Sequence, residues 1–171
     1  MFELPTPLHP AIVHFPIVLT FLGTLFALVS IITRRLCLPL YTAIILVLAA
    51  LGAQFAVATG DAQDPLFSTL STEQKQLVEE HSVWGENGRN VLIVSAVVSL
   101  IALGLHRFGT ARRVMAVLTT LAALVACFFV LRAAQLGGHL VFQHGIGVQS
   151  ASAAQATPSA SPGASATPTA R

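Results

Sequence analysis

Four long apolar segments limit what this chain can fold into more than any other feature of the sequence. A membrane-spanning helix needs about 20 mostly apolar residues, because the hydrocarbon core is about 30 Å thick and each helical residue rises about 1.5 Å. Helices are predicted at about 10–33, 38–60, 72–105 and 112–136, the third with an extension outside the membrane. Only 9% of the residues are charged, against about 25% in an ordinary soluble domain. The predicted fold is therefore all-α, an integral membrane four-helix bundle within residues 1–148.

The arginines in the short connections indicate the orientation, since cytoplasmic loops carry an excess of positive charge. Arg34 and Arg35 lie between the first two segments, and Arg107, Arg112 and Arg113 lie between the last two. We therefore expect a multi-pass protein of the cytoplasmic (inner) membrane with both termini on the outer side. The net charge of +2 gives no reason to expect a nucleic-acid partner, so membrane lipid is the expected surrounding partner.

The composition changes abruptly after Val148. Residues 149–171 consist mainly of alanine, serine, proline and threonine and contain no aromatic residue. Such a segment cannot bury enough apolar surface to offset the entropy of ordering it. The sequence therefore predicts a disordered C-terminal tail.

A helix start is indicated by Ser71, which is followed three residues later by Gln74 in the pattern of a capping box. A helix that begins there continues as the third span and includes an outer extension. The helical repeat then brings His81, Gly85 and Gly88 to one face.

Five of the six histidines fall on the predicted outer side: His9, His14, His81, His139 and His144. Rings contributed by facing helices at similar depth are typical of cofactor sites in helix bundles. His14 and His81 are the favoured ligands, His14 because a polar ring in an apolar segment needs a partner. His144 ranks after them, whereas His9 and His139 are more typical of interfacial side chains that bond to water or backbone.

A b-type haem fits this pattern best. Haem iron binds neutral imidazoles, and a porphyrin face needs small residues where it meets a helix. Gly85 and Gly88 supply that room, and Arg89 and Arg132 supply cations for the propionates. A charge at the depth of Arg132 requires a partner inside the bundle. An ion pair with an acidic residue is the alternative for this arginine, the candidates being Asp61 and Glu86.

Two alternatives to haem remain open. A zinc or copper ion could be held by three or four of the imidazoles with a carboxylate such as Asp61. A cofactor-free accessory or transport subunit could use the histidines to satisfy buried polar groups or to respond to external pH. The sequence contains no Walker loop, GxGxxG, nucleophile elbow or zinc-protease motif, so the enzymatic role it leaves open is that of a redox subunit.

Several short motifs resemble those of a bacterial family of predicted membrane proteins, domain of unknown function 2231. The matching stretches are HP at 9–10, VHFPI at 13–17, TGD at 59–61, an acidic stretch with His81, and GG to GV at 137–148. The resemblance implies that position 139 varies, which favours His14, His81 and His144 as ligands. Relatives fused to Rieske or cytochrome-type modules imply electron transfer. Because the inner end has no second histidine pair, a quinol or an external redox protein is the expected partner.

Overall fold

The computed structural model describes residues 8–33, 35 and 37–146, with residues 64–66 described by their backbone alone. Within these residues four helices are long and apolar enough to span a membrane, and no strand occurs. The predicted all-α, four-helix membrane fold is therefore confirmed. The predicted tail at 149–171 lies outside the described residues, as does Arg34.

The first span consists of a single turn and a long helix, and the other three spans are continuous. The elements are α1 (His9–Ile12), α2 (His14–Ile32), α3 (Cys37–Asp61), a 3₁₀ helix (Asp64–Thr69), α4 (Thr72–Gly104) and α5 (Gly109–Phe142). Pro10 is tolerated in α1 because the first amide groups of a helix have no intrahelical acceptor.

Helix α4 begins where the capping box predicts. The Ser71 hydroxyl accepts a hydrogen bond from the Gln74 amide at 3.3 Å, and the Gln74 side-chain oxygen accepts one from the Ser71 amide at 3.0 Å. The helix continues without interruption through Gly85 and Gly88 to Gly104. One continuous helix thus forms both the outer extension and the third span.

Helix α5 is longer than the predicted 112–136, and the prediction was wrong at its end. The predicted helix ends before Gly137 and Gly138, yet the observed helix runs through both to Phe142. A Cβ at Gly137 would lie 3.1 Å from His81 Cε1, so this glycine provides space for a ring from α4. The chain instead leaves the helix near Gly145, whose φ of 63° is the left-handed conformation that favours glycine.

The four spans pack in a cycle around a core of small side chains. Each span packs against its neighbours in the sequence, and α5 also packs against α2, whereas the diagonal pairs make little contact. Small residues let the helix backbones approach closely, as is typical of membrane bundles. The buried core cluster comprises Leu46, Ala49, Ala50, Ala53, Leu92, Ala96, Ala123 and Ala126.

The two helical hairpins, α1–α3 and α4–α5, share one pattern of burial. Every buried residue of α2 has a buried counterpart at one constant offset in α4: Pro16 and Gly88, Thr20 and Leu92, Gly23 and Ser95, Ala27 and Ser99, Ser30 and Ala102. Five buried residues of α3 likewise correspond to buried residues of α5: Thr42 and Thr119, Ala43 and Thr120, Leu46 and Ala123, Ala49 and Ala126, Ala50 and Cys127. Together with the cyclic packing, this is the arrangement that an approximate two-fold axis along the bundle generates.

Candidate cofactor site

At the end of the bundle where α1 begins and α3 ends, the four spans separate around a groove of about 520 Å³. Sites for small molecules and cofactors usually have volumes of about 300–1,000 Å³ and mostly apolar walls with a few polar groups. All four spans contribute to the walls, which are mainly apolar. The polar and charged side chains that line the groove are His9, His14, Asp61, Gln63, His81, Ser82 and Arg89.

His9 is fixed between the first span and α3. Its Nδ1 lies 2.7 Å from the carbonyl oxygen of Ala56. Because a carbonyl oxygen only accepts, Nδ1 carries the hydrogen and donates it. A Cβ at Gly60 would lie 3.3 Å from both Cε1 and Nδ1 of His9, so the ring rests against this glycine. We call Ala56 and Gly60 the His9 anchor.

His81 is fixed between α4 and α5 in the same way. Its Nδ1 donates to the carbonyl oxygen of Ala133 at 2.9 Å, and its ring rests against Gly137. Ala133 and Gly137 form the His81 anchor. In both anchors the glycine follows the alanine by four residues, which places the carbonyl and the glycine on one face of the helix. The two hairpins therefore hold their histidines by the same device.

The two anchored rings lie close together across the groove. The ring centroids of His9 and His81 are 6.0 Å apart, and the ring planes are at 88°. The anchors are on α3 and α5, which are diagonally opposite in the bundle. With the hydrogen on Nδ1, the neutral ring keeps a lone pair on Nε2, and neither Nε2 has a hydrogen-bond partner among the described residues. Histidines that bind metals typically donate their other ring N–H to a carbonyl or carboxylate in this way.

The other predicted ligands are placed less favourably. His14 lines the groove but is exposed, and its Nδ1 donates to the Pro10 carbonyl oxygen one turn earlier at 2.8 Å. Neither His139 nor His144 is among the residues that line the groove. The sequence favoured His14 over His9, whereas the structure brings His9 to His81. The hydrogen bond between His9 and Ala56 on α3 is a tertiary contact, which a local sequence pattern does not contain.

The groove also contains the predicted glycines and one of the two predicted arginines. A Cβ at Gly85 would meet no atom within 4 Å, and Gly88 packs against Phe129 and Val130 of α5. Arg89 lines the groove, and its guanidinium donates to the side-chain oxygen of Asn90 at 3.1 and 3.2 Å. The groove thus has open space beside Gly85 and a positive charge at Arg89.

Arg132 lies elsewhere on α5 and does not line the groove. Its guanidinium is 3.7 Å from a carboxylate oxygen of Glu80 and 5.4 Å from the centre of the Trp84 ring. The predicted pairing with Asp61 or Glu86 was therefore wrong. The carboxylate that pairs with Arg132 belongs to Glu80 on α4, one turn before the Trp84 ring that the guanidinium covers. These three side chains form a cluster on the face of the α4–α5 hairpin.

The described residues contain no group of three or more histidine, cysteine, aspartate or glutamate side chains placed to hold a metal ion. The candidate site is therefore defined by two imidazoles, His9 and His81, at the end of an apolar groove.

These features define a multi-pass membrane protein with a four-helix bundle and a histidine-lined groove. The chain belongs to the DUF2231 family of predicted membrane proteins, whose profile matches residues 5–150. This match confirms the family resemblance that the motifs around His9, His81 and Gly137 indicated. No curated protein and no solved structure matches the chain.

Proposed function

We propose that this protein is a b-type haem protein of the bacterial cytoplasmic membrane that transfers electrons and holds its haem iron between His9 and His81. The observation that carries the proposal is the pair of rings, 6.0 Å apart, each bonded through Nδ1 to a backbone carbonyl of the next span. Haem iron in b-type sites binds neutral imidazoles, and each ring has its Nε2 free for that purpose.

The ring separation fits coordination of one metal from two sides. A bond between a metal and an imidazole nitrogen is about 2.0 Å long, and the ring centre lies roughly 1.2 Å beyond the nitrogen, so two imidazoles that held one iron between them would have centres about 6.4 Å apart. The centroids of His9 and His81 are 6.0 Å apart. The interplanar angle of 88° is compatible with coordination, because a metal binds each imidazole nitrogen in the plane of its own ring and does not require the two ring planes to be parallel.

The number of ligands favours haem over an isolated zinc or copper ion. Zinc in proteins takes three or four protein ligands, and copper sites similarly use three or more. A porphyrin supplies four nitrogens to its iron, so His9 and His81 would be sufficient protein ligands for a haem. The described residues provide the two imidazoles but no third metal ligand beside them.

The groove supports the same choice by its size and composition. Its volume of about 520 Å³ and its apolar walls suit a large planar cofactor. Gly85 and Gly138 leave open space within 4 Å, where a flat ring system could approach the helices. Arg89 is available for a propionate, since arginine forms strong paired hydrogen bonds with carboxylates.

The arginine distribution supports an outer position for this haem. The connection between α4 and α5, at the end of the bundle opposite His9 and His81, is rich in arginine: Arg107, Arg112 and Arg113. Arginine-rich connections of this kind are usually cytoplasmic. Both termini would then be on the outer side. A single haem near one surface does not carry electrons across the whole membrane, so exchange with a quinol or an external redox protein is the proposed role.

Haem and metal content test the proposal directly. Protein produced in cells supplied with a haem precursor and purified in detergent should contain about one haem b per chain by the pyridine haemochrome assay. Folded protein without haem but with one zinc or copper per chain would support the alternative metal site. Folded protein without haem or metal would support a cofactor-free subunit, and either result would overturn the proposal.

A further inference from the structure

We propose that the bundle has a second site, at the end opposite the groove, which binds the phosphate of an anionic lipid headgroup. The inference does not depend on haem in the groove. It rests on a small cavity of about 60 Å³ between the spans, which we call the arginine-end cavity. The polar side chains that matter for the argument are Arg35, Thr42, Ser99, His106, Arg112 and Thr119.

The arginines at this end form no ion pair with an acidic side chain among the described residues. The sequence contains no aspartate or glutamate between Glu3 and Asp61, and none after Glu86. The loop before α3 and the loop before α5 therefore carry arginine without any acidic residue. No acidic side chain lines the cavity in the described part of the chain. An anion bound in the cavity would therefore have to come from outside the protein.

Two arginines flank the cavity from corresponding positions of the two hairpins. Arg35 precedes Thr42 by the same number of residues as Arg112 precedes Thr119, and Thr42 and Thr119 are counterparts in the repeat. The repeat therefore brings one arginine from each hairpin to the lining of the same cavity. A phosphate group offers several equivalent oxygens, and guanidinium groups bind phosphate oxygens in pairs.

The hydrogen bonds at the cavity leave the arginines as its main donors. One nitrogen of Arg112 donates to the Ser30 and Thr33 carbonyl oxygens at 3.3 and 3.5 Å, which holds the guanidinium at the end of α2. The hydroxyls of Thr42 and Thr119 donate to carbonyl oxygens of their own helices at 2.9 and 2.8 Å. The remaining guanidinium N–H groups of Arg112, together with those of Arg35, are therefore the natural partners of an anion.

The surroundings favour a lipid phosphate over free phosphate. Ile32 is 83% exposed and Phe108 is 62% exposed at this end of the bundle. Acyl chains of a lipid can pack against such side chains while the headgroup reaches the arginines. Basic pockets between spans on the cytoplasmic side are known to suit anionic headgroups. A free phosphate would gain only the two guanidinium contacts.

Thermal unfolding of the full chain in detergent tests the site, because a ligand that binds only the folded state raises the Tm. Phosphatidylglycerol, phosphatidylcholine and inorganic phosphate are added in separate experiments, all at the same concentration. The test variant is Arg35→Gln, and the matched control is Arg113→Gln, an exposed arginine at the same end that does not line the cavity. Phosphatidylglycerol should raise the Tm of the wild type and of Arg113→Gln equally, and the rise should fall by at least half in Arg35→Gln.

Three results would overturn the proposal. An equal response of Arg35→Gln and Arg113→Gln to phosphatidylglycerol would show general charge attraction. A response to phosphatidylcholine as large as that to phosphatidylglycerol would show that the anionic headgroup is irrelevant. A full response to inorganic phosphate would show a free-anion site.

If Arg35→Gln does not fold, Arg35→Lys replaces it, and native mass spectrometry should show at least a twofold loss of bound phosphatidylglycerol, since lysine lacks the paired donors.

Discussion

The imidazole rings of His9 and His81 lie 6.0 Å apart across the groove, and each donates its Nδ1 hydrogen to an alanine carbonyl of the following span. Each ring also rests against the glycine one turn beyond that carbonyl. The orientation of both rings is thus set by main-chain atoms and by the absence of a side chain. Groups that orient a ligand in this way usually matter nearly as much as the ligand itself.

Substitution of an anchor glycine should weaken haem binding. A Cβ at Gly137 would lie 3.1 Å from His81 Cε1, and a Cβ at Gly60 would lie 3.3 Å from His9 Cε1, so Gly137→Ala should have the larger effect. We expect about tenfold weaker haem binding for Gly137→Ala, as for other changes to groups that orient a metal ligand. Titration of haem into apoprotein measures this. Gly104→Ala is the control, because its Cβ would meet nothing within 4 Å, and equal affinities for all three variants would contradict the anchor.

A large side chain at Gly85 should block the groove without disturbing the two histidines. This glycine lines the groove, and a Cβ there would meet no atom within 4 Å. We expect Gly85→Phe to lose most of its haem and to keep its helical circular dichroism, while Gly85→Ala keeps both. Full haem occupancy in Gly85→Phe would show that the cofactor lies elsewhere.

The two predicted arginines should differ in their effect on the haem. Arg89 lines the groove, whereas Arg132 pairs with Glu80 outside it. Removal of a positive charge near the iron favours the oxidised state, so Arg89→Gln should lower the midpoint potential by on the order of tens of millivolts. Arg132→Gln should leave the potential unchanged and alter stability by less than about 1 kcal/mol, since its ion pair is exposed. A redox titration compares them, and equal shifts would refute the assignment of Arg89.

Close packing between α2 and α3 predicts a stability effect that is independent of any cofactor. A Cβ at Gly23 would lie 2.7 Å from Cδ2 of the fully buried Leu46. Gly23→Ala should therefore destabilise the bundle by about 1–3 kcal/mol, the usual cost of overpacking a core. The loss of stability caused by Gly23→Ala should be smaller when Leu46→Val is present in the same chain. Unfolding in denaturing detergent measures both, and additive effects would show that the two positions do not interact.

Local sequence rules predicted the helices well because length, hydropathy and capping act within a few residues. Ser71 and Gln74 form the expected capping box, and the four spans follow from segments of sufficient apolar length. The end of α5 was mispredicted because Gly137 leaves room for the His81 ring of α4, and this contact between helices is absent from the local sequence pattern.

The site was only partly predictable for the same reason. His81 was identified from its position in an otherwise apolar helix face. His9 ranked low because a histidine at the start of a span is usually an interfacial side chain. Its partner, the Ala56 carbonyl, belongs to another helix and could not be inferred locally. The repeat of the two hairpins offers one signal that could have found it. Alanine and glycine four residues apart occur in α3 and again in α5, each at the histidine-bearing end of the bundle.

The most direct test of the paired-histidine haem is the reduced-minus-oxidised absorption spectrum of the purified protein and its single histidine variants. We predict the sharp Soret and α bands of a six-coordinate b-type haem in the wild type, and the same bands in His14→Ala, His139→Ala and His144→Ala. His9→Ala and His81→Ala should each lose these bands or convert them to a five-coordinate spectrum. An unchanged spectrum in both of these variants, or no haem bands in folded wild-type protein, would contradict the account.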